Sequence, residues 1–166
     1  MGFSPGLFRY PSCMHRAPQQ TRTYFLTFVT AQRRRIFQVS DNAQLMATLL
    51  QENRAKKRFA LYAFVVMRDH VHVLLTPAED VSLERAVQFI KGAFSFRLKS
   101  KLDVWERGYN ETQVKSADQF EAFRLYIEQN PVRKRMVAAS PEFAYSSAGK
   151  REMVDARPEW FGGGQG

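Results

Sequence analysis

Apolar positions recur at two different periods along this chain, and the switches between them outline its elements. Thr23-Tyr24-Phe25-Leu26-Thr27-Phe28-Val29-Thr30 is rich in aromatic and β-branched residues and predicts a strand. Asp41 followed by Gln44 has the spacing of a capping box, which predicts a helix opening there and running to about Lys57. Two more strands follow, Leu61–Met67 and His70–Thr76, with only Arg68-Asp69 between them, so they are expected to pair as a hairpin. Past Ser82, residues Leu83, Val87, Ile90, Phe94 and Leu98 keep the helical period, which makes Ser82 the N-cap of a long helix. Trp105–Val114 predicts a strand over part of its length. Ser116 and Gln119 repeat the capping-box spacing before a last helix carrying Phe120, Phe123 and Ile127. Pro131 disfavours helical backbone at the residue before it, so this helix is expected to end near Asn130.

The order strand, helix, strand, strand, helix, strand, helix begins with a split β-α-β arrangement. The expected fold is α+β: a ferredoxin-like antiparallel sheet with helices on one face, plus a C-terminal helix. One domain over residues 21–148 accounts for these elements. Residues 1–20, with Pro5, Pro11 and Pro18, are expected to be irregular, and residues 149–166, ending in GGGQG, to form a flexible tail. No apolar run approaches membrane-spanning length, and the N-terminus lacks a continuous apolar signal core. Cys13 is the only cysteine, which excludes an intramolecular disulfide and a cysteine-based zinc site. A cytoplasmic protein with no membrane partner is the expectation.

Charge narrows the partner. The 25 Lys and Arg residues outnumber 16 Asp and Glu, a net of +9 that favours a polyanion. The stretch Val65 to Leu75, VVMRDHVHVLL, then holds two of the three histidines. In a strand alternate side chains share a face, so His70, His72 and Leu74 lie together, opposite Val71, Val73 and Leu75. Two neutral imidazoles about 7 Å apart along one strand face form a half-site for a divalent ion. The remaining histidine, His15, lies in the irregular N-terminal segment, so a further ligand would have to be an oxygen. Structural histidines would produce the same pattern. A second constellation is LYIEQNPVR, where Tyr126 and Asn130 stand one helical turn apart and present a phenol and an amide side by side. Arg133, Lys134 and Arg135 follow, three cations suited to a phosphate backbone. A core tyrosine, an asparagine closing the helix and a solvated basic turn would read identically.

Several segments together carry a resemblance. They are YFLTF (Tyr24 to Phe28) with Arg33-Arg34-Arg35-Ile36-Phe37, VMRDHVHVLLTP, FIKGAFSFRL, WERGY (Trp105 to Tyr109), YIEQNPVRKRMV and FAYSSA (Phe143 to Ala148). In this order, from Thr23 to Ala148, the chain resembles the single-tyrosine HUH transposases, most closely the REP-associated tyrosine transposases. It departs at Arg68, where a proline is usual, and at Asn110-Glu111-Thr112, where relatives often carry an acidic residue and a histidine. The resemblance implies that His70, His72 and Asn130 hold Mg²⁺ or Mn²⁺. It implies that Tyr126 attacks a phosphorus of single-stranded or hairpin DNA from palindromic repeats, giving a 5′-phosphotyrosine link and a free 3′-hydroxyl. A free phenol has a pKa of about 10 and is roughly one part in a thousand ionised at neutral pH, so it needs activation. The ion, Glu128 and Glu111 are the candidates.

Further DNA contacts are expected from Arg33, Arg34 and Arg35 and from Lys91, Arg97, Lys99 and Lys101 of the long helix. Trp105 and Tyr109 either stack on unpaired bases or pack the sheet edge. The protein is expected to act as a monomer or homodimer. A competing class is a hairpin-binding protein that performs no chemistry, since an aromatic, basic ferredoxin-like sheet also suits nucleic-acid binding alone. A two-histidine phosphoesterase would want a second His-x-Thr or His-x-Ser element, which the sequence lacks.

Overall fold

Near-continuous burial along the two strands of the hairpin gives the sheet two dry faces rather than one. The computed structural model describes residues 21–161, so the expectations for residues 1–20 and for the final Gly162 to Gly166 lie outside the described residues. Four strands, β1 (Thr23–Val29), β2 (Phe59–Val66), β3 (His70–Pro77) and β4 (Asn110–Val114), form one sheet in the order β2-β3-β1-β4. All three pairings are antiparallel, and β2 with β3 is the expected hairpin. Helices α1 (Ser40–Ala55), α2 (Leu83–Leu98) and α3 (Ala117–Arg133) complete the α+β fold.

On one face Leu26 and Phe28 of β1 and Val71, Val73 and Leu75 of β3 pack against Met46, Leu49 and Leu50 of α1 and Val87, Ile90 and Phe94 of α2. A register shift between Leu61 and Ala63 lets β2 place both Leu61 and Phe64 on this face, which strict alternation would forbid. The opposite face is covered by α3. There Phe120 and Ile127, with Phe123 beside them, meet Phe25, Tyr62, Val65, Leu74 and Val114. The two helices α1 and α2 thus share one face, and the C-terminal helix lies over the face that carries the histidines.

Two helix ends depart from expectation. Helix α1 starts at Ser40 with Val39 in the capping position and no side-chain cap. Asp41 instead lies in the first turn, where its charge favours the positive end of the helix without closing a capping box. Helix α3 does open on Ser116, whose hydroxyl accepts from the Gln119 N–H at 3.1 Å, although the Gln119 side chain reaches back to the Lys115 N–H (2.9 Å). It then runs through Pro131 to Arg133. The proline falls in the last turn, so its missing N–H removes a single bond there. That turn is closed by the Lys134 N–H donating to the Asn130 carbonyl (3.0 Å) and the Met136 N–H to the Pro131 carbonyl (2.9 Å).

Beyond α3 the chain returns along the outer edge of β2. Ser147 donates its N–H to the Phe64 carbonyl (3.0 Å), and Asp155 bonds Leu61 through both its N–H (2.7 Å) and its carboxylate (2.8 Å). Arg54 of α1 pairs with the same carboxylate at 3.1 Å. The edge that would otherwise offer free backbone groups is covered. The packed course continues to Phe161, whose ring lies 5.6 Å from that of Phe120.

Candidate active site

The strand pattern that buries Val71, Val73 and Leu75 under α1 and α2 turns His70, His72 and Leu74 toward α3. The two imidazole centroids converge to 4.7 Å at an interplanar angle of 71°. His72 stands opposite Thr27 of β1 and shares a 2.8 Å hydrogen bond between its Nδ1 and the Thr27 Oγ1. His70 sits at the mouth of the hairpin, and its Nδ1 donates to the Asp69 carboxylate at 2.7 Å. In both rings, then, Nδ1 is occupied by an oxygen that fixes orientation, and Nε2 is the nitrogen left for a ligand. This is how metal-binding histidines are held.

Electrostatics favour the neutral ring at His72. The residue is only 6% exposed. Burial, reinforced by the positive charges of His70 and Arg133, pushes its pKa down to about 3. A neutral imidazole keeps its lone pair. Asp69 moves the other way: burial opposes its ionisation, but the hydrogen bond and charge of His70, together with Arg33, hold its carboxyl below the usual range.

Helix α3 supplies the remaining groups. Tyr126 is 44% exposed although its ring lies edge-on to His72, with centroids 5.6 Å apart. Phe25 stacks between Phe123 (4.7 Å) and His72 (5.3 Å) and meets the Tyr126 ring at a right angle, which sets the height of the helix over the histidines. One turn on, Asn130 is 2% exposed, and its Oδ1 is buried with no hydrogen-bond partner. A buried unsatisfied acceptor costs about 1–3 kcal/mol, so its retention fits an oxygen reserved for a cation. Among the described residues no group of three or more His, Cys, Asp and Glu gathers to hold a metal. An ion here would rest on two imidazoles and a neutral amide oxygen, a set that leaves positions open for water and phosphate and suits Mg²⁺ or Mn²⁺.

One feature escaped the sequence. Arg133 lays its guanidinium 4.2 Å over the Tyr126 ring and donates to the Tyr126 carbonyl. The two residues are seven apart, two turns of helix, a relation visible only if the helix continues through Pro131.

The other sequence candidates divide by position. Arg33, Arg35 and Lys134 line a cleft beside His70, and Arg33 reaches Asp69 at 3.5 Å. Arg135 follows α3 in left-handed backbone and is exposed. Arg34 turns back to the Ala31 and Asp103 carbonyls. Lys91 is half-buried, its Nζ donating to the carbonyls of Glu106 (3.3 Å) and Gly108 (2.6 Å); burial lowers its pKa. Arg97 pairs with Glu52 at 2.6 Å, and Lys99 ends α2 in left-handed backbone. Lys101 is exposed in the segment after α2. Trp105 packs against Phe28, Phe37 and Phe94 and donates its indole N–H to the Lys91 carbonyl (3.1 Å); Tyr109 also leans on Phe28. Of the candidate activators, Glu128 is held by Arg124 at 2.8 Å. Glu111 pairs across from Leu26, which places it on the α1–α2 face, away from Tyr126.

Comparison with known proteins adds three findings. Residues 19–130 match the family described as "Transposase IS200 like". A Haemophilus influenzae protein that carries the name of a REP-associated tyrosine transposase is 21% identical over 154 residues, covering 84% of this chain and 87% of that protein. The solved structure of a REP-associated tyrosine transposase bound to a REP hairpin superposes with a TM-score of 0.70 at 21% identity, covering 89% of this chain and 92% of the other.

Proposed function

The chain belongs to the IS200-like transposase family, and from that membership we propose that it cleaves and rejoins single-stranded, hairpin-forming repeat DNA through Tyr126. The observation that carries the reading is the placement of one half-exposed tyrosine ring with its centroid 5.6 Å from that of His72, in an imidazole pair whose Nδ1 atoms are both engaged. In the reaction the Tyr126 oxygen attacks phosphorus and loses its proton. The bond from phosphorus to the 3′ oxygen breaks, and that oxygen takes up a proton as a 3′-hydroxyl. The strand keeps its 5′ end as a phosphotyrosine, whose phosphodiester bond is conserved, so a second 3′-hydroxyl can reverse the step.

His70, His72 and Asn130 are the residues that would hold Mg²⁺ or Mn²⁺. Such an ion supplies Lewis-acid polarisation of a non-bridging phosphate oxygen. The chain's own groups do the rest. Thr27 and Asp69 orient the imidazoles, Phe25 sets the ring spacing, and Arg133 fixes the phenol while placing a positive charge beside the site of attack. Arg33, Arg35, Lys134 and Arg135 draw in the strand. Palindromic repeats are the proposed substrate because a relative of the same fold is solved with a REP hairpin. No described helix is long and apolar enough to cross a membrane, and a cytoplasmic setting fits DNA chemistry.

The test uses a stem-loop oligonucleotide with unpaired flanks, labelled at its 3′ end and incubated with Mg²⁺ or Mn²⁺. Cleavage is expected with either ion and absent in chelator. Undiminished cleavage in chelator would remove the ion from the account.

A further inference from the structure

We infer that the tip of the β2–β3 hairpin, through Arg68, forms a second phosphate-binding subsite for the unpaired strand next to the reacting tyrosine. The inference rests on the single-strand reading above. Arg68 lines a cleft of about 260 Å³ together with Arg33, Arg35, Lys134, Asp69 and His70. Only Arg33 has an acidic partner there, Asp69 at 3.5 Å. Arg35, Arg68 and Lys134 are exposed and have no ion pair among the described residues, so the cleft carries an excess of positive charge with one carboxylate inside it. Asp69 is itself drawn toward His70 at 2.7 Å. The wall nearest His70 is therefore balanced, while the outer three cations are left for an anion from outside.

The cleft is also built rather than incidental. The Arg68 carbonyl accepts from the Phe37 N–H (3.1 Å), and the Asp69 carbonyl accepts from both the N–H and the hydroxyl of Thr30 (3.0 Å each). These bonds tie the hairpin tip to the segment carrying Arg33 and Arg35. That segment holds two successive non-glycine residues, Gln32 and Arg33, in left-handed backbone at φ 56° and 51°. Such a conformation is unfavourable for both and persists only where the surroundings enforce it. Three cations from three separate segments line this cleft, with His70 on its border. A phosphodiester flanking the bond under attack is the anion whose charge, size and location fit. Arginine suits it best, because its planar fork grips two phosphate oxygens at once.

The experiment compares two fluorescent stem-loop oligonucleotides by anisotropy at several salt concentrations. One carries six-nucleotide unpaired extensions on both sides of the stem, and the other is the bare stem-loop. Arg68→Ala should weaken binding to the extended oligonucleotide about tenfold and flatten its salt slope by about 0.7, the share of one single-strand phosphate contact. Binding to the bare stem-loop should not change, and Arg68→Lys should recover part of the loss. An equal loss on both oligonucleotides, or no loss on either, overturns the subsite and leaves the DNA reading standing. Wild-type protein that binds neither oligonucleotide overturns both.

Discussion

Replacing Asn130 with leucine separates what this residue does for the fold from what it does for an ion. Leucine keeps the branching at Cγ, removes both polar ends, and is the better helix former. In the metal-free protein the change deletes a buried acceptor that has no partner. Lifting that penalty should stabilise the fold by about 1–3 kcal/mol, at roughly 2–4 °C in Tm per kcal/mol for a domain of this size. The ion should reverse the comparison. A ligand at a hundred times its Kd stabilises the folded state by about 2.7 kcal/mol, and wild type should show a rise of that order on adding Mn²⁺. Asn130→Leu should show little of it. The assay is thermal and urea unfolding of both proteins, in chelator and across a Mn²⁺ titration. Two results would refute the reasoning: a variant less stable than wild type in chelator, or a variant that Mn²⁺ stabilises as strongly as it does wild type.

Three more expectations follow from the same geometry. Because the His72 pKa is depressed to about 3 from an ordinary 6.5, the unfolded chain binds the extra proton between those values. The stability from the neutral ring is therefore complete above about pH 6.5 and is lost as pH falls toward 3. In chelator the slope should approach about 1.4 kcal/mol per pH unit, and a His72→Gln variant that keeps the full slope would count against this assignment. Thr27→Val preserves shape but removes the Nδ1 partner of His72; Mn²⁺ affinity measured by calorimetry should drop about 10- to 100-fold, and an unchanged affinity would discard Thr27 as an orienting group. Arg133→Met takes the charge off the Tyr126 ring, so single-turnover cleavage should slow by at least tenfold at saturating DNA, and an unchanged rate would confine Arg133 to binding.

The fold and the pairing of the histidines were readable because both depend on local period. Alternation over His70 to Leu75 separates the core valines from the imidazoles without any knowledge of what lies above them. What alternation could not reveal is that the histidine face is dry, since α3 covers it through contacts nearly a hundred residues apart in sequence, such as Phe25 with Phe123. The end of α3 was misplaced because the rule for residues before proline is a local preference, and here the packed last turn outweighs it. The same extra turn creates the contact of Arg133 with Tyr126. The opening of α1 was misread because Asp41 has capping-box spacing, but the chain enters the helix from Val39. Residue type alone also does not reveal that Lys91 and Trp105 tie α2 to the segment before β4, through the bond from the indole to the Lys91 carbonyl and those from the Lys91 ammonium to the Glu106 and Gly108 carbonyls.

The central claim is that Tyr126 becomes covalently joined to DNA. The most direct measurement is to incubate the protein with Mn²⁺ and a stem-loop labelled 3′ of the cut, resolve the products under denaturing conditions, and sequence the labelled peptide by mass spectrometry. Wild type should give a labelled protein band whose modified peptide contains Tyr126. Tyr126→Phe should bind the DNA with similar affinity and give neither band nor cut. An adduct that persists in Tyr126→Phe, or cleavage by wild type that leaves only a free 5′-phosphate, would contradict the account.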